Sequence, residues 1–332
     1  MPVSPKIVTI FGGSGFVGRY IARRLAKDGW RVRVAIRRPN EAMFVRTYGT
    51  VGQVEPILTN IRDEASTKAA IAGADAVVNC VGIGQQSGKQ RFDAVQHQGA
   101  ARIARLAAEA KVGQLVQISA LGADPESDSD YARSKAEGEV AVLAAFPKAI
   151  ILRPSIIFGP EDAFFNRFAK LAQLTPVIPL VGAETRFQPV YVDDVAAAAV
   201  KGVKGEIASG TYELGGPKVQ TFRQLMSTML GVVHRKRMLV NLPFWIARID
   251  AWFLDIGAAA TGGLITNKIL TRDQVRLLAN DNVVSEGAKT LADIGIEPTP
   301  MEAILESYLY CHRPSGQYDA IKDSAKNLRK AI

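Results

Sequence analysis

The heptapeptide Gly12-Gly13-Ser14-Gly15-Phe16-Val17-Gly18 stands between an apolar, β-branched run and a stretch whose apolar residues recur at helical spacing. The run from Lys6 to Phe11 reads as a strand buried on both faces, and Val17, Ile21 and Leu25 ahead of Gly29 mark a helix with its stop signal. The heptapeptide satisfies both G-x-x-G-x-x-G and G-x-G-x-x-G. Glycines at these places permit a tight turn and close backbone approach, and the free amides of a helix N-terminus attract phosphate. A strand, a glycine turn and a helix built this way are expected to receive a pyrophosphate.

The unit repeats. Strands are predicted over 31–36, 54–58, 76–81, 114–118 and 149–152, with helices between them at about 41–49, 64–72, 93–110 and 131–145. Strands alternating with helices mean βαβ units and a parallel sheet. Beyond Pro154 the pattern loosens into a helix over 162–173, a Pro-broken stretch 175–180, a strand 188–192, a helix 194–201, a strand 210–214 and a helix 221–233. The expected fold is α/β: a Rossmann-type, doubly wound parallel sheet with a smaller mixed α/β C-terminal lobe. Residues 1–160 form the nucleotide-binding domain, with core strands contiguous to about 235. Residues 161–312 form the lobe, partly interleaved with the sheet. Residues 313–332 form a polar tail with Lys322, Lys326, Arg329 and Lys330, readable as a helix on a partner or as a mobile end.

Composition closes off other classes. A chain of 332 residues with 48% hydrophobic and 22% charged residues is neither disordered nor fibrous. Cys80 and Cys311 match no metal or disulfide spacing, and His97, His234 and His312 show no ligand pattern, so no metal site is expected. Uncharged stretches reach 13 residues, short of the ~20 that span a bilayer, so no transmembrane segment is expected. No signal or transit peptide is recognisable before Lys6, which suits a bacterial cytoplasmic chain or a mature form.

Positive charge gathers where a nucleotide would lie. Residues 1–60 carry 10 basic and 3 acidic side chains, whereas 61–232 balance at 18 and 18. This pattern does not suit nucleic acid, which favours an extended basic face or tail. A site specific for NAD carries an acid about 20 residues after the glycine loop. Here Arg37 and Arg38 lie 19 and 20 residues after Gly18. Two guanidiniums favour a 2′-phosphate, hence NADP(H), although both also read as solvated loop charges.

Tyr131 and Lys135, at i and i+4 of the helix predicted over 131–145, share one face. A nearby ammonium is expected to lower the phenol's pKa and fit it for proton exchange with a carbonyl or hydroxyl. Ser119, at the end of the fifth strand, is placed to bond the same oxygen. These residues and the glycine loop resemble the short-chain dehydrogenase/reductase superfamily, in its extended or atypical branch, over about residues 6–235. Supporting stretches are Asn79-Cys80-Val81-Gly82, Leu152 to Pro160, and Pro189 to Ala196. The resemblance implies catalytic positions at Ser119, Tyr131 and Lys135, and cofactor contacts from Gly12, Ser14, Gly15, Phe16, Val17 and Gly18. It further implies ribose contacts from Val81 and Gly82, nicotinamide contacts from Pro154 and Ile157, and adenine contacts from Asn60 and Ile61. The family often has Asp where this chain has Asn60. Asp193 and Asp194, between a strand and an Ala-rich helix, read as N-caps rather than catalytic acids.

Phe146 to Asp162, Phe164 to Ala169 and Gln188 to Val195 are similar to a narrower group, the Rossmann-type accessory subunits of respiratory complex I (NADH:ubiquinone oxidoreductase alpha-subcomplex subunit nine). That resemblance implies NADPH held as a structural cofactor, other complex I subunits as partners, and a place at the junction of the peripheral and membrane arms near the quinone site. It implies a peripheral location on the cytoplasmic face of a bacterial inner membrane, or the matrix face if mitochondrial. Arg235 to Leu254, basic and then aromatic at helical spacing, reads as a contact with lipid headgroups or a partner, or as a helix packed in its own lobe. Two functions stand side by side. One is a non-catalytic stabilising subunit; the other is an NADP-dependent oxidoreductase or sugar-nucleotide epimerase using Ser119, Tyr131 and Lys135.

Overall fold

In the computed structural model, residues 5–245, 271–318 and 321–322 are described. Strand β1 (Ile7–Phe11) is almost wholly buried, as its unbroken apolar run requires, and passes through the glycine turn into α1 (Phe16–Lys27). β2 (Arg31–Ile36), β3 (Val54–Leu58), α2 (Glu64–Ile71), β4 (Ala76–Asn79), α3 (Gln98–Glu109), β5 (Gln114–Ile118), α4 (Asp130–Ala145) and β6 (Ile150–Pro154) follow.

The second half contributes β7 (Ile157–Phe158), α5 (Phe165–Leu174), β8 (Val177–Val181), β9 (Arg186–Phe187), β10 (Val190–Tyr191) and α6 (Val192–Lys204). It continues with β11 (Gly210–Leu214), β12 (Gln220–Thr221), α7 (Phe222–Val232), β13 (Met238–Leu242), α8 (Arg272–Leu277) and α9 (Met301–Leu309).

Seven parallel strands form one sheet in the order β3-β2-β1-β4-β5-β6-β11, a Rossmann-like α/β fold. Strand order reverses between β1 and β4, and a crevice opens at the carboxyl ends there. One face of the sheet packs Ile21 and Leu25 of α1, Val195 and Ala199 of α6, and the late residues Leu291 and Ile294. The other packs Ala70 of α2, Ile103 and Ala107 of α3, and Val142 of α4. A separate core gathers Phe165 and Ala169 of α5, Leu180 of β8, Leu225 and Met229 of α7, and Leu305 and Leu309 of α9. The two bodies interleave in sequence: β11 joins the sheet in register with β6, Gly210 beside Ile150 through Leu214 beside Pro154.

Several local expectations change. The stretch expected as a helix at 41–49 is a 3-10 helix, Pro39–Tyr48, kinked at Ala42. The helix expected over 93–110 opens with a π-turn, Asp93–His97, before α3. The strand expected over 188–192 is divided at Pro189, which has no amide to donate, and α6 begins already at Val192. The Pro-broken stretch is strand β8, paired in parallel with β13, and Pro179 sits at an exposed position where its missing donor is tolerated. Asn241 and Leu242, expected to open an aromatic helix, instead end β13. Residues 246–254 of that expected helix lie outside the described residues. Arg313, expected at the start of the tail, is anchored: it donates to Val232 O at 2.9 Å and pairs with Glu306 at 2.7 Å. No described helix is long and apolar enough to cross a membrane.

Candidate functional site

The glycine turn has the geometry its residues permit. Gly12 has φ +74°, a left-handed value that favours glycine, and its amide donates to Ala35 O at 3.0 Å. A Cβ on Gly18 would stand 2.5 Å from Gly12 O and 2.7 Å from Gly13 Cα, so α1 packs onto the turn through a bare backbone. Helix α1 starts after Gly15 with no side-chain cap, which leaves its first amides for another acceptor.

Beside the turn is a cavity of about 730 Å³, within the range of small-molecule and cofactor sites. Gly12, Ser14 and Gly15 line it from the turn, Arg37 and Arg38 from the end of β2, Asn60 and Ile61 from the end of β3, and Val81 and Gly82 from the end of β4. Four loops distant in sequence thus meet at one void. Phe16 and Val17 lie in the first turn of α1, where the Phe16 ring packs edge-on to Tyr20 at 6.3 Å. Pro154 ends β6 and accepts from the Leu121 amide at 2.9 Å, and Ile157 opens β7.

The same cavity is lined by residues that pattern reasoning did not single out: Arg19, Phe44, Thr59, Arg62 and Gln90 among them. Arg19 lies over the Phe44 ring at 5.0 Å and donates to Ser14 O at 3.1 Å. Its place one residue after the glycine motif was a usable signal; Phe44 and Gln90 sit on irregular segments that carry none. The two arginines after β2 differ. Arg38 is paired with Glu41 at 3.0 Å, whereas Arg37 is exposed and has no hydrogen bond or ion pair among the described residues. Asn60 accepts from the Arg62 amide at 3.2 Å, and the nearby acid, Asp63, is committed to capping α2 through the Ser66 amide at 2.7 Å.

Tyr131 and Lys135 lie on the first two turns of α4, and Ser119 is buried directly after β5. Lys135 is 6% exposed; its Nζ donates weakly to Ile118 O at 3.4 Å and lies 5.9 Å from the Tyr131 ring centre. A Cβ on Gly82 would lie 3.3 Å from that Nζ, which ties Lys135 to the wall of the cavity. Burial pulls the Lys135 ammonium down to about 8, against smaller opposing effects of Glu139 and Cys80. Tyr131 moves the other way from the expectation of a lowered phenol. Burial first, then the Asp273 carboxylate, push it up to about 12. Ser119 Oγ, Thr59 Oγ1 and Gln96 Oε1 are buried oxygens without a protein partner, a rare condition that calls for a polar ligand or water.

Asp193 and Asp194 are not N-caps. Tyr191 holds that place without a side-chain bond, and both acids sit in the first turn of α6. Asp193 takes a bidentate bond from Arg24, both arms 2.7 Å, and Asp194 accepts from the amide and hydroxyl of Thr299 at 2.7 and 3.0 Å. They tie α6 to α1 and to the C-terminal segment. His97 also differs from expectation: its Nδ1 is 2.9 Å from Asp93 and 3.7 Å from Glu137, a polar cluster at the surface.

The sequence pattern of the NAD dependent epimerase/dehydratase family matches residues 8–215. Beyond that span the likeness continues. The chain is 36% identical over 320 residues to NADH dehydrogenase (ubiquinone) 1 alpha subcomplex subunit 9, mitochondrial, of Arabidopsis thaliana, covering 95% of this chain and 80% of that protein. The chain belongs to the NAD dependent epimerase/dehydratase family and, within it, to the alpha subcomplex subunit 9 group. A bacterial relative, a ceramide reductase of Caulobacter vibrioides, is 33% identical over 253 residues, covering 74% of this chain and 78% of that protein. The Bordetella bronchiseptica enzyme WbmH, solved in complex with NAD+, shares the fold at 18% identity with a TM-score of 0.67, covering 94% of this chain and all of WbmH. The fold is thus a nucleotide-cofactor-binding Rossmann fold.

Proposed function

We propose that this chain is a non-catalytic accessory subunit of respiratory complex I that binds NADPH as a structural cofactor. The observation that carries the reading is the likeness to subunit 9 chains over 95% of the sequence, including the C-terminal third beyond the residues matched by the family pattern.

The residues present fit a dinucleotide. Gly12, Ser14, Gly15 and the opening amides of α1 would receive the pyrophosphate, with Phe16, Val17 and Gly18 shaping that turn. Asn60 and Ile61 would lie along the adenine, Val81, Gly82, Tyr131 and Lys135 along the nicotinamide ribose, and Ser119, Pro154 and Ile157 near the nicotinamide. The orphaned Ser119 Oγ would gain a partner there. Arg37, without a protein partner, supports a 2′-phosphate and therefore NADPH over NADH. When bound, NADPH supplies a hydride donor; in this reading it serves instead to fill and stiffen the crevice, stabilising the fold by mass action.

The partners in this proposal are other complex I subunits at the junction of peripheral and membrane arms, near the quinone site. The location is peripheral, on the cytoplasmic face of a bacterial inner membrane or on a mitochondrial matrix face. Lys236, Met238 (65% exposed) and Trp245 (64% exposed) are exposed basic and apolar residues close in sequence, which suits a large partner or lipid headgroups.

The test is a native gel of membranes extracted in gentle detergent, probed for this chain and for NADH:quinone activity, with nucleotide identified by mass in the same band. Comigration with a large active complex that carries unreacted NADPH is expected. A small species that exchanges NADP(H) freely and turns over carbonyl substrates would support the second reading, an NADP-dependent oxidoreductase using Ser119, Tyr131 and Lys135. That reading draws on the intact triplet and on the ceramide reductase relative.

A further inference from the structure

The first turn of α4, which carries Tyr131, is held from the far end of the chain. Asp273 Oδ2 accepts from Ser129 Oγ at 2.9 Å and from the Tyr131 amide at 3.2 Å, and Oδ1 accepts from the Asp130 amide at 2.8 Å. Ser129 is itself the N-cap, accepting from the Ala132 amide at 3.3 Å. Two side chains in series therefore satisfy the opening amides of this helix, and the outer one is a carboxylate facing the positive end of the helix dipole. Arg276, one turn further along α8, donates to Asp128 O at 2.9 Å.

The segment bearing Asp273 is anchored on the smaller body. Thr271 and Gln274 cap α8 reciprocally, Val275 is buried against Val181, and Thr185 Oγ1 donates to Leu278 O at 2.6 Å. A few residues on, Asn282 accepts from Ser155 Oγ at 2.7 Å and donates to Leu121 O at 3.3 Å. A continuous path of bonds thus runs from the C-terminal lobe to the loops after β5 and β6 and to the start of α4.

We propose that Asp273 is a positioning residue for the nucleotide crevice: it fixes the first turn of α4, and through Tyr131 it sets how fast bound dinucleotide leaves. The inference rests on the nucleotide reading above. Tyr131 is the second residue of α4, so loss of the carboxylate leaves its amide and that of Asp130 without an acceptor while only the Ser129 cap remains, and the first turn that carries it frays more readily. Lys135 lies one turn deeper, and its single long bond to Ile118 O does little to hold it, so its place depends on the helix. A carboxylate 142 residues away in sequence from Tyr131 thereby couples the lobe to the cleft.

The test uses the full-length chain loaded with NADPH, with release followed by the nucleotide's fluorescence after a chase of excess NADP+. Wild type is compared with D273A, D273N, Y131F, the double variant Y131F/D273A and the control D293N, which removes a turn-capping carboxylate bound to Thr290. The expected result is release about tenfold faster in D273A and about threefold faster in D273N, where an acceptor oxygen survives, with D293N within twofold of wild type. The double variant is expected to release no faster than the faster single one, because both act along one path. Release from D273A and D273N within twofold of wild type while Y131F is faster would overturn the inference, as would Y131F and D273A effects that multiply independently. If D273A does not fold, D273N carries the same comparison. A wild-type chain that binds no NADPH would overturn the nucleotide reading and this inference with it.

Discussion

Replacing Gly18 with Ala should be damaging at the crevice, although in helices Ala is ordinarily the better residue. The new Cβ would stand 2.5 Å from Gly12 O and 2.7 Å from Gly13 Cα, both backbone atoms of the turn, whereas real Cβ contacts essentially never fall below 3.0 Å. Turn and helix must therefore separate by at least about half an ångström, which costs about 1–3 kcal/mol as overpacking. Gly18 lies inside α1, so helix propensity returns up to about 1 kcal/mol. The net loss of stability is about 0–3 kcal/mol, but the displacement falls on the loop expected to receive the pyrophosphate. NADPH affinity should then drop at least tenfold. Gly231, in the last turn of α7, is the matched control: nothing lies within 4 Å of its would-be Cβ. Gly231→Ala should stabilise by about 0.5 kcal/mol and leave binding unchanged. Urea titrations of both variants and of wild type, with NADPH binding followed by fluorescence, decide the matter. A Gly18→Ala chain as stable as wild type with undiminished NADPH affinity would refute the packing argument.

Lys135→Met should stabilise the nucleotide-free chain by about 3 kcal/mol at pH 7, since it removes a buried ammonium drawn down to about 8 from its ordinary 10.5. The folded wild type binds fewer protons than the unfolded chain between those two values, so its stability rises with pH in that window and the gap to Lys135→Met should close there. Denaturation at pH 7, 8.5 and 10 measures it, and a gap constant with pH would contradict the assignment. Arg37→Glu should weaken NADPH at least tenfold and NADH only slightly, read by calorimetry, because a charge-assisted bond worth about 1.5–3 kcal/mol becomes a repulsion. Arg38→Glu should matter less, because Arg38 is already paired with Glu41. Arg153→Met should cost about 3–5 kcal/mol in urea titration, because it leaves Glu139 and Glu213, 5% and 7% exposed, without their shared cation.

Much of the nucleotide half was legible because its signals are local. The strands over 31–36, 54–58, 114–118 and 210–214 match the structure residue for residue, since short stretches rich in β-branched and apolar residues between turn residues mark strands even where polar or charged residues alternate with them. The second half was less legible. Strand β8 carries two prolines in or beside it and is tolerated through its pairing with β13, a partner about 60 residues on that no window of sequence reveals. The π-turn at Asp93–His97 follows from packing rather than from propensity: Gly138 of α4 has room for no Cβ against the Gln96 carbonyl.

At the site the division is similar. The glycine turn and the pair of arginines after β2 are readable in the chain because their chemistry lies in consecutive residues. Which arginine is free was decided by Glu41, through the way the 3-10 helix folds back. The sequence by itself determined the parallel sheet, the glycine turn and the presence of Ser119, Tyr131 and Lys135, because turn chemistry and periodicity act over a few residues. Only the tertiary structure decided the electrostatics of that triplet. A proton's affinity depends on what surrounds the group in space, and at Tyr131 that is burial together with the Asp273 carboxylate, brought to the start of α4 from the other end of the chain.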